Sequence, residues 1–240
     1  MSRTAWFDPP LPRILAHRGL ALEAPQNSVE AFRAALTAGA THLETDVRAS
    51  ADGVAVLVHD AELTDGTPVD RLPLAALRRR LPSVATLDEA LAALPAGRFN
   101  IDVKAGAAVA PTVAALRRAD ATARVLLTSF SLLRRRAAVR RLRGIATSGS
   151  AAEVLAALLA ARLGQGALRR ALAGLDALQV PPYAAGIDLG APPFLGAAHA
   201  AAVEVHIWVI DEPARMRSLV AAGVDGIVTD RSDLAAAALR

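Results

Sequence analysis

A single (β/α)8 TIM barrel, with a short insertion after the second strand, is the fold this sequence predicts. Three observations lead there. The chain has 240 residues, close to the roughly 250 of a typical barrel. Short apolar strands alternate with Ala/Leu-rich helices, the pattern of a parallel α/β fold. Charged and polar residues then recur where the strands end, and in such a barrel all the strand carboxyl ends open on one face.

The elements follow in order. Residues 1–12 are proline-rich and read as an N-terminal arm, leaving 13–240 as one domain. Arg13 to Ala16 is a short buried strand that ends at His17-Arg18-Gly19. Ser28 or Asn27 then caps a helix over Val29 to Ala38, closed by Gly39. The second strand is expected over 42–48. An insertion, about residues 49–86, follows it with turn residues, a short Leu/Arg helix and Pro82. Thr86-Leu87-Asp88-Glu89 opens a helix to Leu94 with capping-box spacing. Further strands are expected at Arg98 to Lys104, Arg124 to Phe130, Gly144 to Ser148, Ala177 to Pro181, Val203 to Ile210 and Gly226 to Thr229, with a helix near Ala108 to Ala119.

The stretch His42 to Asp60, HLETDVRASADGVAVLVHD, concentrates the chemistry. Glu44 and Asp46 stand two apart, so on a strand both carboxylates share a face about 7 Å apart and repel unless something positive lies near. Asp52-Gly53 is a hairpin signal. As a two-residue loop it pairs Ala51 with Val54 and brings His59 opposite Asp46; a bulge at the glycine slips this by one residue. Asp102 and Lys104 share a face by the same period of two. Lys104 is the only lysine in a chain that otherwise uses arginine, which marks a place where a compact point charge is wanted rather than a guanidinium fork.

Composition excludes several classes. There is no cysteine, hence no disulfide or thiolate metal site. The first residues carry no apolar run of signal-peptide length, and the alanine-rich runs are too short to span a bilayer, so a soluble cytoplasmic protein without integral membrane contact is expected. The net charge is +4, but only 3% of residues are aromatic, too few for the stacking platforms of a single-strand nucleic-acid binder. The arginine runs at 78–80 and 134–143 read as solvated helix faces. His42, His199 and His206 read as structural, with His206 facing outward from the seventh strand, and Ser129 as a hydrogen-bonding residue rather than a nucleophile. No exposed leucine or aromatic ridge that would face a lipid is evident.

Taken in order, HRG at 17–19, APQNSVEAF at 24–32, ETD at 44–46, the Asp52-Gly53 turn, HD at 59–60, TLDEAL at 86–91, IDVK at 101–104, Ser129-Phe130, Trp208 and VDGIVTDRSDL at 224–234 resemble the glycerophosphodiester phosphodiesterase family over His17 to Leu234. The resemblance implies a metal-dependent TIM-barrel enzyme that splits small-molecule glycerophosphodiesters into glycerol 3-phosphate and an alcohol. It implies His17 and His59 as the catalytic acid/base pair, and Glu44, Asp46 and Asp102 as ligands of one divalent cation. Arg18 and Lys104 become phosphate contacts, and Trp208 a wall of the glycerol pocket. Oxygen ligands suit Mg2+ or Ca2+. The charges balance: three carboxylates, a dication, two basic side chains and a monoanionic substrate sum to about zero. Histidine as a residue type, with an ordinary pKa of about 6.5, can accept or donate a proton near neutrality. Departures from the family pattern are Asp102, where Glu is common, Gln26 in place of Glu, Asp65-Gly66 in the segment after the His-Asp pair, and Asp211 in place of Asn. Two rivals remain: a phospholipase-like phosphodiesterase acting on another ester, and a barrel that binds phosphorylated metabolites without turnover.

Overall fold

The computed structural model describes residues 4–184 and 186–239. Eight parallel strands form the barrel: β1 (Arg13–Ala16), β2 (His42–Ala49), β4 (Phe99–Val103), β5 (Val125–Thr128), β6 (Ala146–Thr147), β7 (Ala177–Val180), β10 (Glu204–Ile207) and β11 (Gly226–Thr229). Their order is β6-β5-β4-β2-β1-β11-β10-β7; β3 (Ala55–Leu57) pairs with β2, and β8 (Tyr183–Ala184) and β9 (Ile187–Asp188) pair with each other outside the barrel. The ring is completed between β6 and β7 by a single parallel bridge, Ser148 opposite Ala177. Seven of the eight barrel strands fall inside the expected segments, and β2 runs one residue past its expected end at 48.

Helices cover the outside: α1 (Val29–Ala38), α2 (Leu74–Arg80), α3 (Leu87–Ala93), α4 (Val109–Arg118), α5 (Leu132–Val139), α6 (Ala151–Ala161), α7 (Gln165–Ala171), α8 (Pro192–His199), α9 (Pro213–Ala221) and α10 (Ser232–Leu239). The helix ends are built as their sequences specify. Ser28, not Asn27, caps α1 by accepting from the Ala31 amide, and Gly39 closes it in the left-handed region. Thr86 and Glu89 form the expected reciprocal box on α3.

The strands alternate between two cores. Residues such as Leu43, Phe99, Ile101, Leu127, Val205 and Ile207 face the helices and build the large outer core. Leu15, Leu126, Ala146, Ala177 and Val228 point inward and pack with Trp6. Trp6 lies on a 3-10 turn, Ala5–Phe7, within the N-terminal arm and is fully buried. Its indole N–H donates to the Phe99 carbonyl at 3.0 Å. The arm, read from sequence only as an extension, thus supplies the plug of the barrel's amino end; its residues 1–3 lie outside the described residues.

Beneath the plug sits a charged pair 191 residues apart in sequence. Arg13 Nε and Nη2 donate to Glu204 at 2.6 and 2.8 Å, both side chains being buried. His206 belongs to this layer, which corrects the outward placement expected for it. Glu204 and His206 are the inward positions of β10, because Val205 and Ile207 are taken by the outer core, and Trp208 follows just past the strand's end. His206 is fully buried, 5.7 Å from the Trp6 ring, and packs where Gly226 has no side chain: a Cβ there would lie 2.8 Å from the imidazole. His42 and His199 are structural as expected, with His42 Nε2 donating to the Trp6 carbonyl (2.8 Å) and His199 paired with Asp225 (2.8 Å).

Candidate active site

β2 and its return strand β3 (Ala55–Leu57) correct the expected hairpin register by one residue. Val47 pairs with Leu57, Arg48 with Val56 and Ala49 with Ala55, so Val58 rather than His59 lies beside Asp46. The Ser50 amide donates to the Val54 carbonyl and the Gly53 amide to the Ser50 carbonyl, enclosing three loop residues rather than two. Gly53 supplies the left-handed third position, φ +76°. On a continuous strand that slip would turn His59 to the opposite face. The strand ends at Leu57, however, and Arg48 Nε holds the His59 carbonyl at 2.8 Å, so the imidazole still reaches the barrel mouth.

At the carboxyl ends of the strands opens a cavity of about 560 Å³. His17, Arg18, Glu44, Asp46, His59, Asp102, Lys104 and Trp208 all line it, so the structure brings every expected site residue to one place. The register explains the acids: Glu44 is opposite Asn100 and Asp46 opposite Asp102 on the adjacent parallel strands β2 and β4.

Two cations lie among the three carboxylates. Lys104 Nζ bridges Asp46 (2.9 Å) and Asp102 (2.7 Å), and Arg18 Nε lies 3.0 Å from Asp46. One ammonium joins both carboxylates as a compact point charge, a geometry that a planar guanidinium fork does not reproduce. Burial opposes ionisation of Asp46, but the charge and hydrogen bond of Lys104, with Arg18, outweigh it and hold the carboxyl below its ordinary range. Burial raises Asp102, only partly offset by Lys104. Glu44 is pushed well above the carboxylate range by burial and by the charges of Asp46 and Asp102. Lys104 itself is raised, because its two carboxylates outweigh the cost of burial. The site is an acidic cluster with two cations for three acids.

Backbone geometry places Glu44 and His17. Arg18 adopts a left-handed conformation, φ 56°, and its amide donates to Glu44 Oε2 at 3.1 Å. Gly19 follows at φ +86°, so close to α1 that a Cβ would lie 2.7 Å from the Ala31 backbone, and only glycine fits. His17 Nε2 is 4.0 Å from Glu44 Oε2, and its Nδ1 lies 2.7 Å from Asp230 Oδ1. His59 Nδ1 meets Asp60 Oδ1 at 2.8 Å.

Beyond the expected site residues, several neighbours shape the cavity, and of these Asn27 was read from sequence only as a possible helix cap. Asn27, buried with φ 58°, donates to Asp46 Oδ2 (3.2 Å) and accepts from the Thr45 hydroxyl (2.8 Å) and the Asp46 amide (3.3 Å). Its tolerance of the left-handed region was the available signal. Gln26 accepts from Arg18 at 3.1 Å. Phe130 stands edge-on to Trp208, ring centres 6.3 Å apart, and Lys104 Nζ lies 5.5 Å from its ring centre. Ser129 is a hydrogen-bonding residue as expected, donating to the Val103 carbonyl at 2.6 Å.

The opposite wall of the cavity is apolar: Val154, Leu155 and Leu158 of α6, with Pro181 and Ala184. Leu155 and Leu159 are each more than half exposed, and Leu163 follows at 80%. This overturns the expectation that no leucine ridge is exposed. The i, i+4 spacing of Leu155 and Leu159 places both on one face of α6, and Leu163 lies in the turn that follows the helix.

Among the described residues no three acidic or histidine side chains stand as a ready set of metal ligands, the space between Asp46 and Asp102 being taken by Lys104. No helix of the described residues is long and apolar enough to cross a membrane.

Comparison with known proteins matches these features to one family. A Mycobacterium tuberculosis (strain ATCC 25618 / H37Rv) protein described as "Probable glycerophosphodiester phosphodiesterase 2" is 42% identical over 231 residues, covering 92% of this chain and 88% of that one. The crystal structure of a glycerophosphodiester phosphodiesterase from Agrobacterium tumefaciens str. C58 superposes with a TM-score of 0.75 at 25% identity, covering 95% of this chain and 99% of that one. An Oleispira antarctica phosphodiesterase, solved in complex with the product sn-glycerol-3-phosphate, shares the fold with a TM-score of 0.75 at 22% identity, over 95% of this chain and 97% of that one. The model of the glycerophosphoryl diester phosphodiesterase family matches residues 17–234, from the first cavity histidine to the start of the last helix, and the chain belongs to that family of enzymes.

Proposed function

We propose that the enzyme hydrolyses glycerophosphodiesters to glycerol 3-phosphate and an alcohol, with His17 and His59 moving the protons and a divalent cation, Mg2+ or Ca2+, held by Glu44, Asp46 and Asp102. The supporting observation is the convergence of two imidazoles and three carboxylates on one cavity that Arg18 and Lys104 also line. The donor set fits a hard cation: it offers only oxygen, and Asp102 Oδ1 is buried without a hydrogen-bond partner. When bound, such an ion polarises a phosphoryl oxygen and lowers the pKa of a coordinated hydroxyl.

The chain's own residues do the rest. A phosphodiester anion repels nucleophiles, and Arg18 and Lys104 offset its charge where it meets the acidic cluster. His17, with Nε2 toward Glu44, takes the proton of the attacking oxygen as the new P–O bond forms. His59 lies nearer the rim, its side chain 39% exposed, and gives its proton to the alcohol as the old P–O bond breaks. That alcohol then leaves toward solvent. Trp208 and Phe130 form an aromatic corner against which the glycerol carbons pack.

The test is choline release from glycerophosphocholine with Mg2+, Ca2+ or EDTA. Turnover is expected with the metals and not with EDTA. His17→Ala and His59→Ala are each expected to lose about 100-fold or more with an unchanged circular-dichroism spectrum. Undiminished hydrolysis in EDTA removes the cation from the reading, near-normal hydrolysis by His59→Ala removes His59, and tight binding without release favours a metabolite sensor.

A second reading has the apolar wall behind it. Val154, Leu155 and Leu158 line the same cavity as the acids, so one ester group of the substrate can carry a hydrocarbon chain. Choline release from a short-chain lysophosphatidylcholine below its micellar concentration, faster than from glycerophosphocholine and slowed by Leu155→Asp, supports it. Equal rates on both substrates set it aside.

A further inference from the structure

His17 is held from behind by two carboxylates in series. The His17 amide donates to the Thr229 carbonyl at 2.8 Å, and its Nδ1 meets Asp230 Oδ1 at 2.7 Å, so backbone and ring are both tied to the end of β11. That end is itself tied down. Asp211, in the loop after β10, accepts at one oxygen from the Thr229 hydroxyl and from the Asp230 amide, each at 2.8 Å. The Thr229 hydroxyl oxygen in turn accepts from the Arg231 amide at 2.9 Å. Arg231 turns away to pair with Asp233, at 3.0 and 2.8 Å.

We propose that Asp230 and Asp211 are positioning residues for His17: Asp230 fixes the tautomer and ring orientation of the imidazole, and Asp211 fixes Asp230. The argument is one of donors and acceptors. A carboxylate only accepts, and a neutral imidazole has a single N–H. Facing Asp230, that hydrogen resides on Nδ1, and the Nε2 lone pair is left on the side of Glu44 and the cavity. Without Asp230 the ring is free to take the other tautomer or to flip about its Cβ–Cγ bond, and in either state no basic nitrogen faces the reacting oxygen. Asp211 acts only as a double acceptor, so an amide oxygen can replace it, whereas a methyl group cannot.

The proposal rests on His17 taking part in turnover, and the test separates the two. Kinetics on glycerophosphocholine are measured for the metal-supplied enzyme, and the His17 tautomer is read from its 15N shifts. Asp230→Ala is expected to lower kcat by roughly 10- to 100-fold with KM within about twofold, and to replace the single Nδ1–H tautomer by a mixture. Asp211→Ala is expected to lower kcat about tenfold, and Asp211→Asn to restore it, since the amide oxygen accepts the same two hydrogens. An unchanged tautomer in Asp230→Ala, a rise in KM in place of the fall in kcat, or an Asp211→Asn variant as slow as Asp211→Ala overturns the proposal. Full activity of His17→Ala overturns the assigned role of His17, and the 15N spectrum still decides whether Asp230 sets its tautomer.

Discussion

His42 makes this fold acid-sensitive in a way that can be isolated. It is fully buried, its Nε2 donates to the Trp6 carbonyl and its Nδ1 lies 2.8 Å from the Thr41 hydroxyl. Burial is the main cause that lowers its pKa from 6.5 to about 3, with the charge of Arg13 adding to it. The sign follows from proton counting. Between those values the unfolded chain binds a proton that the folded chain does not, so the stabilisation is complete above about pH 6.5 and falls as pH drops toward 3. Between pH 7 and pH 5 that difference is worth about 2 kcal/mol. His42→Gln keeps a donor for the Trp6 carbonyl and removes the titration. Urea unfolding midpoints at pH 7, 6 and 5, with the denaturant slope checked for constancy, should show the wild type losing about 2 kcal/mol more than the variant over that range. Parallel pH curves for the two proteins would refute the assignment, because every other titrating group is common to both.

Trp6→Ala removes the amino-end plug and should cost about 3–5 kcal/mol by denaturant unfolding, with activity per folded molecule preserved because the plug and the cavity lie at opposite ends of the barrel. Lys104→Arg keeps the charge but not the single-point bridge between Asp46 and Asp102, and a fall in kcat/KM of about tenfold or more on glycerophosphocholine is expected. Asn27→Ala removes the hydrogen bonds that orient Asp46 and leaves a methyl side chain in the left-handed region. It should cost about 2–4 kcal/mol and lower activity beyond what the loss of folded protein explains, measured as kcat at a temperature where the variant is fully folded.

Local periodicity carried most of what could be read from the chain. The period of two placed Glu44 with Asp46 and Asp102 with Lys104, and the parallel register then set Asp46 beside Asp102. Capping chemistry placed α1 and α3. What escaped depends on contacts with no local signature. Arg13 and Glu204 are 191 positions apart, and neither carries a mark in its own segment that it will be buried against the other. Trp6 sits in a proline-rich stretch with no periodicity, so its burial follows only from the hole in the barrel that it fills. The hairpin slipped by one because Gly53 occupies a third loop position, a choice that Asp-Gly permits but does not dictate. His206 was misplaced for a related reason: VEVHIWVI is apolar on both faces, and only the barrel decides which face is inside.

The two ends of the barrel interior use charge differently, and the contrast separates structural from functional ionisable groups. At the amino end, Arg13 meets Glu204 through two hydrogen bonds and gives two more N–H groups to the Pro9 and Phe7 carbonyls, at 2.9 and 3.2 Å. Hydrogen bonds from Arg13 and His206 hold Glu204 below the carboxylate range despite its burial, so this charge is matched inside the protein. At the carboxyl end three buried acids share two cations, Glu44 is driven upward by its neighbours, and Asp102 retains a buried oxygen without a partner. Folding alone gains nothing from such a mismatch, because crowding and burial oppose ionisation of the third acid, Glu44, which its carboxylate neighbours push toward the protonated form. That mismatch is what supports the cation proposed above, since a bound dication would let all three acids ionise. Replacing Glu204 should therefore lower stability, whereas replacing Glu44 by Gln should raise stability in metal-free buffer while abolishing turnover. Equal destabilisation by both substitutions in EDTA would show that the acids at the mouth are as structural as those at the base.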